Sequence, residues 1–226
     1  MRKKVLVLMC VLLSLTVGGA VAQTVVGAKT GLNLNWYSGS NWDNFIASVE
    51  AIDGVPYDEA PAPTFHIGAF IESMFTDNIG IVLELNASSY GQAYSYPTIF
   101  GDVDGTFRQS IVEVPVLLKL TGQPLEGFYV LAGASAQYLY TDLELREELL
   151  GAEASTTFAP DNDLVFGALI GGGWDIQFGS RGIFKIEGRY TRNITDDFDP
   201  ALFDVNRFNL LVGLGSASVP HDTTRF

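Results

Sequence analysis

The sequence predicts an all-β protein, an eight-stranded antiparallel up-and-down transmembrane β-barrel, and three observations lead to it. Apolar and polar residues alternate over eight separate segments, which is typical of strands with one apolar face. The connections between these segments alternate between long and short. The long connections hold 18 of the 26 Asp and Glu residues and one basic residue, Arg146. A membrane barrel with tight turns at one end and extended loops at the other has this pattern.

The composition excludes several other classes of protein. Hydrophobic residues make up 47% of the chain and charged residues 17%, against roughly 25% charged residues in an average soluble domain. So much apolar content excludes a mainly disordered chain. The net charge of -13 argues against a nucleic-acid partner, since such a chain has too few cations to neutralise phosphates.

Residues 1–22 predict a cleavable export signal. Three basic residues at 2–4 precede an apolar stretch, 5–17, and a small-x-small cleavage pattern at 20–22. The apolar stretch is too short to span the ~30 Å of hydrocarbon that a membrane anchor must cross. The one cysteine, Cys10, lies in this signal, so we expect the exported chain to have no disulfide and no thiol chemistry.

The eight alternating segments define a barrel domain, 23–218, followed by a short C-terminal tail, 219–226. The first strand shows the pattern, because Leu32 and Leu34 alternate with Asn33 and Asn35. Each segment is predicted to form a strand of about ten residues, the length that crosses a bilayer when tilted. The predicted strands are residues 23–37, 64–75, 79–89, 111–120, 128–140, 164–178, 184–190 and 208–214.

The connections give the barrel its predicted orientation. We expect tight turns at the periplasmic end and acidic loops outside. The short connections are 76–78, 121–127 and 179–182, and the long ones are 37–63, 90–105, 141–163 and 195–206. Tyr90 and Phe107 break the alternation, which predicts bulges or strand ends there. The alternative is a soluble lipocalin-like barrel, which would bury its apolar face inward.

Charged residues on the polar face of the strands are predicted to point into the lumen. Eight strands enclose an interior that side chains can fill. Unpaired charges in such an interior are costly, so we expect a paired network. Its predicted members are Glu72, Glu84, Glu113, Lys119, Lys185, Glu187, Arg189 and Arg207. A closed lumen is the first interpretation. A narrow ion-selective channel and ligand storage in the mouth are the alternatives.

The sequence predicts no catalytic residues, no cofactor and no metal site. His66 is placed on the inward face near the loop acids Asp58 and Glu59, a pair that would suit a hydrolase at the rim. No nucleophile stands at a recognisable spacing from it, so we predict no enzyme. Asp102 and Asp104, like the acids of 196–199, offer oxygen ligands for calcium, but neither group matches a complete calcium loop.

Three segments resemble one known family. They are GAKTGLNL at 27–34, VEVPVLLK at 112–119 and GFYVLAG at 127–133. They are similar to the small outer-membrane β-barrel proteins called "porin family" or PorT-like, which are common in Bacteroidota. The resemblance extends over 23–218 and implies the barrel fold and an outer-membrane location. Most members have no assigned activity.

The expected function is therefore a structural or surface-interaction role in the outer membrane, with the acidic external loops carrying any binding. The alternative is a narrow porin that passes small solutes or ions. The expected partners are outer-membrane lipid, the barrel-assembly machinery during insertion, and an extracellular partner that contacts loops 37–63 and 141–163. No nucleic-acid partner is expected.

Overall fold

The computed structural model describes residues 23–122, 126–158, 164–194 and 204–218, over which the chain forms ten strands and one helix. Most strands are longer than the predicted ten residues. The elements are β1 (Gln23–Ser38), α1 (Ser40–Asp53), β2 (Asp58–Met74), β3 (Ile79–Thr98), β4 (Gly101–Thr121), β5 (Phe128–Leu139), β6 (Leu143–Leu149), β7 (Ala152–Phe158), β8 (Leu164–Phe178), β9 (Gly182–Asn193) and β10 (Asp204–Ala217).

Eight of these strands form a closed ring. Each pairs antiparallel with its neighbours in the order β1, β2, β3, β4, β5, β8, β9 and β10. The ring closes between the first and last strands, where β1 pairs with β10 from Val25↔Ala217 to Ser38↔Asp204. The predicted fold class, an eight-stranded antiparallel up-and-down barrel, is confirmed.

The apolar face of the ring points outward. Phe65 is 78% exposed and Ile67 is 63% exposed, whereas Asn33 and Glu84 on the opposite face are almost fully buried. The alternation with period two places apolar side chains towards lipid and polar ones in the lumen. The lipocalin-like alternative, which needs an inward apolar face, is therefore wrong. Among the described residues no helix is long and apolar enough to cross a membrane.

The predicted loop 90–105 is instead part of a long hairpin. β3 and β4 have 20 and 21 residues and stay paired as far as Thr98↔Gly101. The bulges or strand ends expected at Tyr90 and Phe107 are wrong, because the register between these strands continues without a shift. Both aromatic side chains face the lumen. The barrel wall around them continues beyond the lipid.

The connection 141–163 carries two additional strands. The chain bends after β5, where the Thr141 hydroxyl accepts a hydrogen bond from the Ser110 amide at 2.8 Å. It then continues along the same edge of β4 as β6, and β7 pairs with β6. We call the outer parts of β2, β3 and β4, together with β6 and β7, the external sheet (58–61, 92–98, 101–108, 143–149 and 152–158). The connection 37–63 likewise contains a helix, α1, and the start of β2.

The outward side chains of β3 and β4 mark where lipid contact ends. Ala87 pairs with Val112, the last outward apolar pair, and Ser89 pairs with Ser110 directly beyond it. The membrane-spanning part of this hairpin therefore ends near that serine pair. The predicted signal 1–22, the tail 219–226 and most of the fourth long connection lie outside the described residues.

The closed ring predicts heat-modifiable migration on a denaturing gel. A sheet without free edges resists detergent, since every strand in the wall is paired on both sides. The unboiled protein is expected to migrate as a compact band and the boiled protein as a slower one. The measurement is electrophoresis of the detergent-extracted chain with and without boiling. Identical migration of the two samples would contradict a closed barrel.

Candidate functional site

The lumen contains buried ion pairs at three levels. Nearest the short turns lies the turn-side cluster, formed by Glu72 on β2, Lys119 on β4, Asp175 on β8 and Lys185 on β9. The Nζ atom of Lys119 lies 2.6 Å from Glu72 Oε1 and 2.5 Å from Asp175 Oδ2. The Nζ atom of Lys185 lies 2.7 Å from each of the same two carboxylates. Four strands are thus joined across the lumen by alternating charges.

The central cluster follows one level further from the turns. Arg189 donates two hydrogen bonds to Glu84, at 2.6 Å and 2.7 Å, the bidentate geometry that gives the strongest pairs. Lys29 on β1 lies 2.6 Å from Glu84 and 3.1 Å from Glu187. Glu187 also pairs with Arg189 and accepts a 2.8 Å hydrogen bond from the Tyr129 hydroxyl. Both carboxylates of this cluster therefore have two cationic partners.

The loop-side pair is formed by Glu113 on β4 and Arg207 on β10. Arg207 Nη2 lies 2.6 Å from Glu113 Oε2, and both side chains are 1% exposed. The guanidinium also lies 5.8 Å from the centre of the Tyr90 ring, a cation–π distance. The Tyr90 hydroxyl donates to Gln137 on β5. This pair therefore joins opposite parts of the wall just below the external mouth.

The charges of the three levels cancel. They comprise five cations and five carboxylates, and nine of these ten side chains are buried. Lys29, Lys119, Lys185, Arg189 and Arg207 face Glu72, Glu84, Glu113, Asp175 and Glu187. A neutral set of close pairs is what a confined interior of low dielectric constant requires.

Apolar side chains pack among these charges and above them at the external end; Val25, for example, pairs with Glu72 and Phe70 with Glu84. The cluster nearer the short turns contains buried side chains from all eight ring strands, among them Val25, Phe70 and Ile183. The cluster at the external end contains Tyr37, Trp42, Tyr90, Ile111, Leu139, Val165 and Val205. Trp42 belongs to α1, so this helix covers the external mouth with its indole ring. The indole Nε1 donates a 2.7 Å hydrogen bond to Glu59.

The structure places all eight residues that were predicted for the lumen network among buried side chains. That set omits Lys29 and Asp175, although both stand on the inward parity of their strands. The alternating pattern was sufficient to find them. Tyr90 and Tyr129 were not predicted as lumen residues, because the predicted set comprised only charged side chains. Inside the lumen the Tyr129 hydroxyl donates a hydrogen bond to Glu187, and the Arg207 guanidinium lies over the Tyr90 ring.

The His66 side chain is buried in the lumen and is not accessible at the rim. It is 2% exposed, and neither ring nitrogen has a hydrogen-bond partner among the described residues. Glu59, the proposed acid, accepts hydrogen bonds from Trp42 and Gln92, and Asp58 is exposed on the external sheet. The His–acid pair considered from the sequence is therefore not formed.

Two tyrosine rings of the external sheet stack with the ring of Tyr57, which directly precedes β2. Tyr57 lies 4.6 Å from Tyr96 and 5.9 Å from Tyr94 between ring centres. The Tyr94 hydroxyl donates a 2.7 Å hydrogen bond to Glu147. Burial, followed by this carboxylate, raises the pKa of the Tyr94 hydroxyl well above its ordinary value. Tyr94 therefore remains protonated and continues to hold β3 against β6.

Candidate calcium ligands do not converge in the part of the chain that the structure describes. Asp102 and Asp104 lie on β4 with exposed side chains. No group of three or more His, Cys, Asp and Glu side chains that could hold a metal ion occurs among the described residues. The acids at 196, 197 and 199 lie outside them.

Solved structures that are similar to this chain include the following three. Neisserial surface protein A is 10% identical, with 85% of this chain and 96% of that chain covered and a TM-score of 0.42. OprG from Pseudomonas aeruginosa is 12% identical, with 88% and 97% covered and a TM-score of 0.43. Ail of Yersinia pestis, solved with the heparin analogue sucrose octasulfate, is 12% identical, with 86% and 98% covered and a TM-score of 0.38.

No curated protein matches the sequence. The model of the outer membrane protein beta-barrel domain family matches residues 21–199, which is most of the chain and includes β1 to β9. The closed antiparallel ring with an apolar outer face has the architecture that this match requires. The chain belongs to the outer membrane protein β-barrel domain family and is a barrel of the outer membrane.

Proposed function

We propose that this protein is a closed, non-conducting barrel whose structural or surface-interaction role is carried by its external part. The observation that carries the proposal is the charge-balanced set of ion pairs that crosses the lumen, with apolar and aromatic side chains packed among the charges. Lys119 and Lys185 each bridge two carboxylates from different strands, so these side chains cross the lumen. A solute would have to break several of these buried pairs to pass.

The narrow porin is the second candidate, and the strand number disfavours it. Eight strands enclose a space that side chains fill, whereas water-filled porins use 16 or more. The ten charged side chains that would line a channel here are paired with one another. Arg189 and Glu84, for example, form a bidentate pair that crosses the lumen. These contacts support a closed lumen.

Conductance in a planar bilayer tests the closed lumen. The inserted protein is expected to give no unitary steps, while a 16-stranded porin in the same membrane gives stable ones. Insertion is checked by protease protection of the barrel. Asp175 has a side chain 17% exposed and offers the mildest change in the network. Steady steps whose ion selectivity differs in Asp175→Asn would contradict the proposal and establish a porin.

The remaining proposals concern export and partners. We propose that residues 1–22 direct export and are cleaved, and that the barrel-assembly machinery inserts the domain 23–218. We also propose that an extracellular partner contacts loops 37–63 and 141–163, and that the chain belongs to the PorT-like branch. The basic and apolar pattern of the N-terminus supports export. The structured external sheet supports a partner, since it extends β3 and β4 beyond the lipid.

A further inference from the structure

Large apolar side chains reappear at the outer end of the external sheet. Beyond the serine pair that ends lipid contact, the outward positions of β3 and β4 are small or polar. At the turn between these strands, however, Ile99 is 93% exposed and Phe100 is 66% exposed. Leu150 in the β6–β7 turn is 78% exposed. We call these three side chains the apolar tip.

The two turns lie side by side. Val103 on β4 pairs with Leu149 on β6, which brings the ends of both hairpins to the same height. A Cβ atom built on Gly101 would lie 3.6 Å from a methyl group of Leu150. The three apolar side chains therefore belong to one surface.

The backbone at Leu150 is a second, independent observation. Leu150 has φ 51° and Gly151 has φ 80°, so both central residues of this two-residue turn have positive φ. Such turns favour Asn-Gly or Gly-Gly, since a branched or bulky side chain is strained there. Leu150 is the only non-glycine residue with positive φ among the described residues. Folding alone favours asparagine at this position, and a leucine kept under strain points to a function.

The tip lies too far out to contact the protein's own bilayer. About ten residues of β3 separate Ser89 from the turn, which corresponds to up to ~30 Å of strand. Contiguous apolar surface that no lipid or core covers usually marks an interaction site. The partner that covers the apolar tip must therefore come from outside the protein's own membrane.

The charges next to the apolar tip indicate what kind of partner can bind there. Asp104 lies directly opposite Glu148, and Glu148 lies directly opposite Glu153. These three exposed acids form a row across β4, β6 and β7, with Asp102 exposed beside it. Like charges in cross-strand positions repel one another, and a cation beside them relieves this repulsion. A surface rich in anionic lipid would be repelled.

We propose that the apolar tip is the docking site for a cationic amphipathic polypeptide segment. Its apolar side chains would cover Ile99, Phe100 and Leu150, and its basic side chains would face the row of Asp104, Glu148 and Glu153. The proposal rests on the surface-interaction role given above and names the class of partner.

Binding of a model peptide to the whole protein in phosphatidylcholine nanodiscs tests this proposal. The probe is a fluorescein-labelled helical peptide of leucine and lysine, compared with the same peptide carrying glutamate in place of lysine. The test variant is Ile99→Ser/Phe100→Ser/Leu150→Asn. It retains the turn because asparagine tolerates positive φ, and the heat-shifted band confirms that it folds. The matched control is Ser155→Ala/Thr156→Ala/Thr157→Ala on exposed β7.

The lysine peptide is expected to bind the native protein above the background of empty nanodiscs. Its affinity should fall at least about 10- to 100-fold in the tip variant, because burial of even one or two of the three removed apolar side chains contributes that much. It should change less than about twofold in the β7 control, which retains the apolar tip and the acidic row. Equal affinity for the native protein and the tip variant would overturn the proposal. If the native protein bound the glutamate peptide and the lysine peptide with equal affinity, the proposal of a cationic partner would be overturned.

Two further measurements distinguish this proposal from a lipid-binding surface and from the proposal of a closed lumen. Vesicles of phosphatidylglycerol that bind the native protein, and lose binding in the tip variant, would replace the polypeptide with a lipid surface and overturn it. Bilayer conductance of the same preparations tests the closed barrel independently, because the tip lies outside the lumen. Unitary steps with intact peptide binding would refute only the closed lumen. A silent bilayer with no peptide binding would refute only the docking site.

Discussion

Glu113→Arg is expected to prevent the barrel from folding. Glu113 is the partner of Arg207, and both side chains are 1% exposed, so the substitution leaves two guanidinium groups together in the lumen. Breaking a buried ion pair costs about 3–5 kcal/mol, and repulsion between the two cations adds to this. Native proteins are stable by about 5–15 kcal/mol in total. The heat-shifted band of the folded barrel should therefore be lost on the gel.

The reciprocal change provides the control for this prediction. Arg207→Glu combined with Glu113→Arg reverses the pair, and the folded band is expected to return. Glu148→Arg is the matched surface control, since it makes the same substitution on the exposed external sheet and should leave the band unchanged. A folded band of native intensity in Glu113→Arg alone would show that this pair does not form.

Glu84→Gln has the second largest expected effect. Glu84 is 2% exposed, accepts two hydrogen bonds from Arg189 and lies 2.6 Å from Lys29. The amide retains the size of the side chain but leaves two buried cations with Glu187 as their shared carboxylate. We expect the free energy of unfolding to fall by about 3–5 kcal/mol. Urea unfolding in detergent, followed by tryptophan fluorescence, measures this loss.

Glu153→Gln is the matched control for Glu84→Gln. Glu153 is exposed on β7, so the same change there should alter the free energy of unfolding by less than about 0.5 kcal/mol. Equal urea midpoints for the two variants would mean that burial and pairing at Glu84 contribute nothing. The control also separates the effect of the buried pair from that of one unit of net charge.

The ring and the inward or outward direction of its side chains could be predicted because they depend on local alternation. The period of two at Leu32, Asn33, Leu34 and Asn35 determines which side chains share a face, whatever strand lies next to them. The same argument placed Glu84 and Glu113 on the inward face. It also applied to Lys29, which was omitted from the predicted set although its parity was clear.

The external part could not be predicted in the same way. The segment 90–105 contains glycine, proline and acidic residues that are typical of loops, yet β3 and β4 remain paired through it. The hairpin is stabilised by contacts between distant residues, such as Tyr57 with Tyr96 and Tyr94 with Glu147. Local sequence does not record such contacts, so the segment was predicted as a loop.

By itself the sequence determined that this chain is a barrel of eight ring strands with an apolar outside, a polar inside and acidic residues concentrated in its long connections. These properties follow from alternation, connection length and charge, each of which is read along the chain. Only the tertiary structure decided which charges meet, since Glu113 and Arg207 are brought together by ring closure across 94 positions. It also decided that Ile99, Phe100 and Leu150 lie together, because adjacency of two turns depends on strand pairing and not on local pattern.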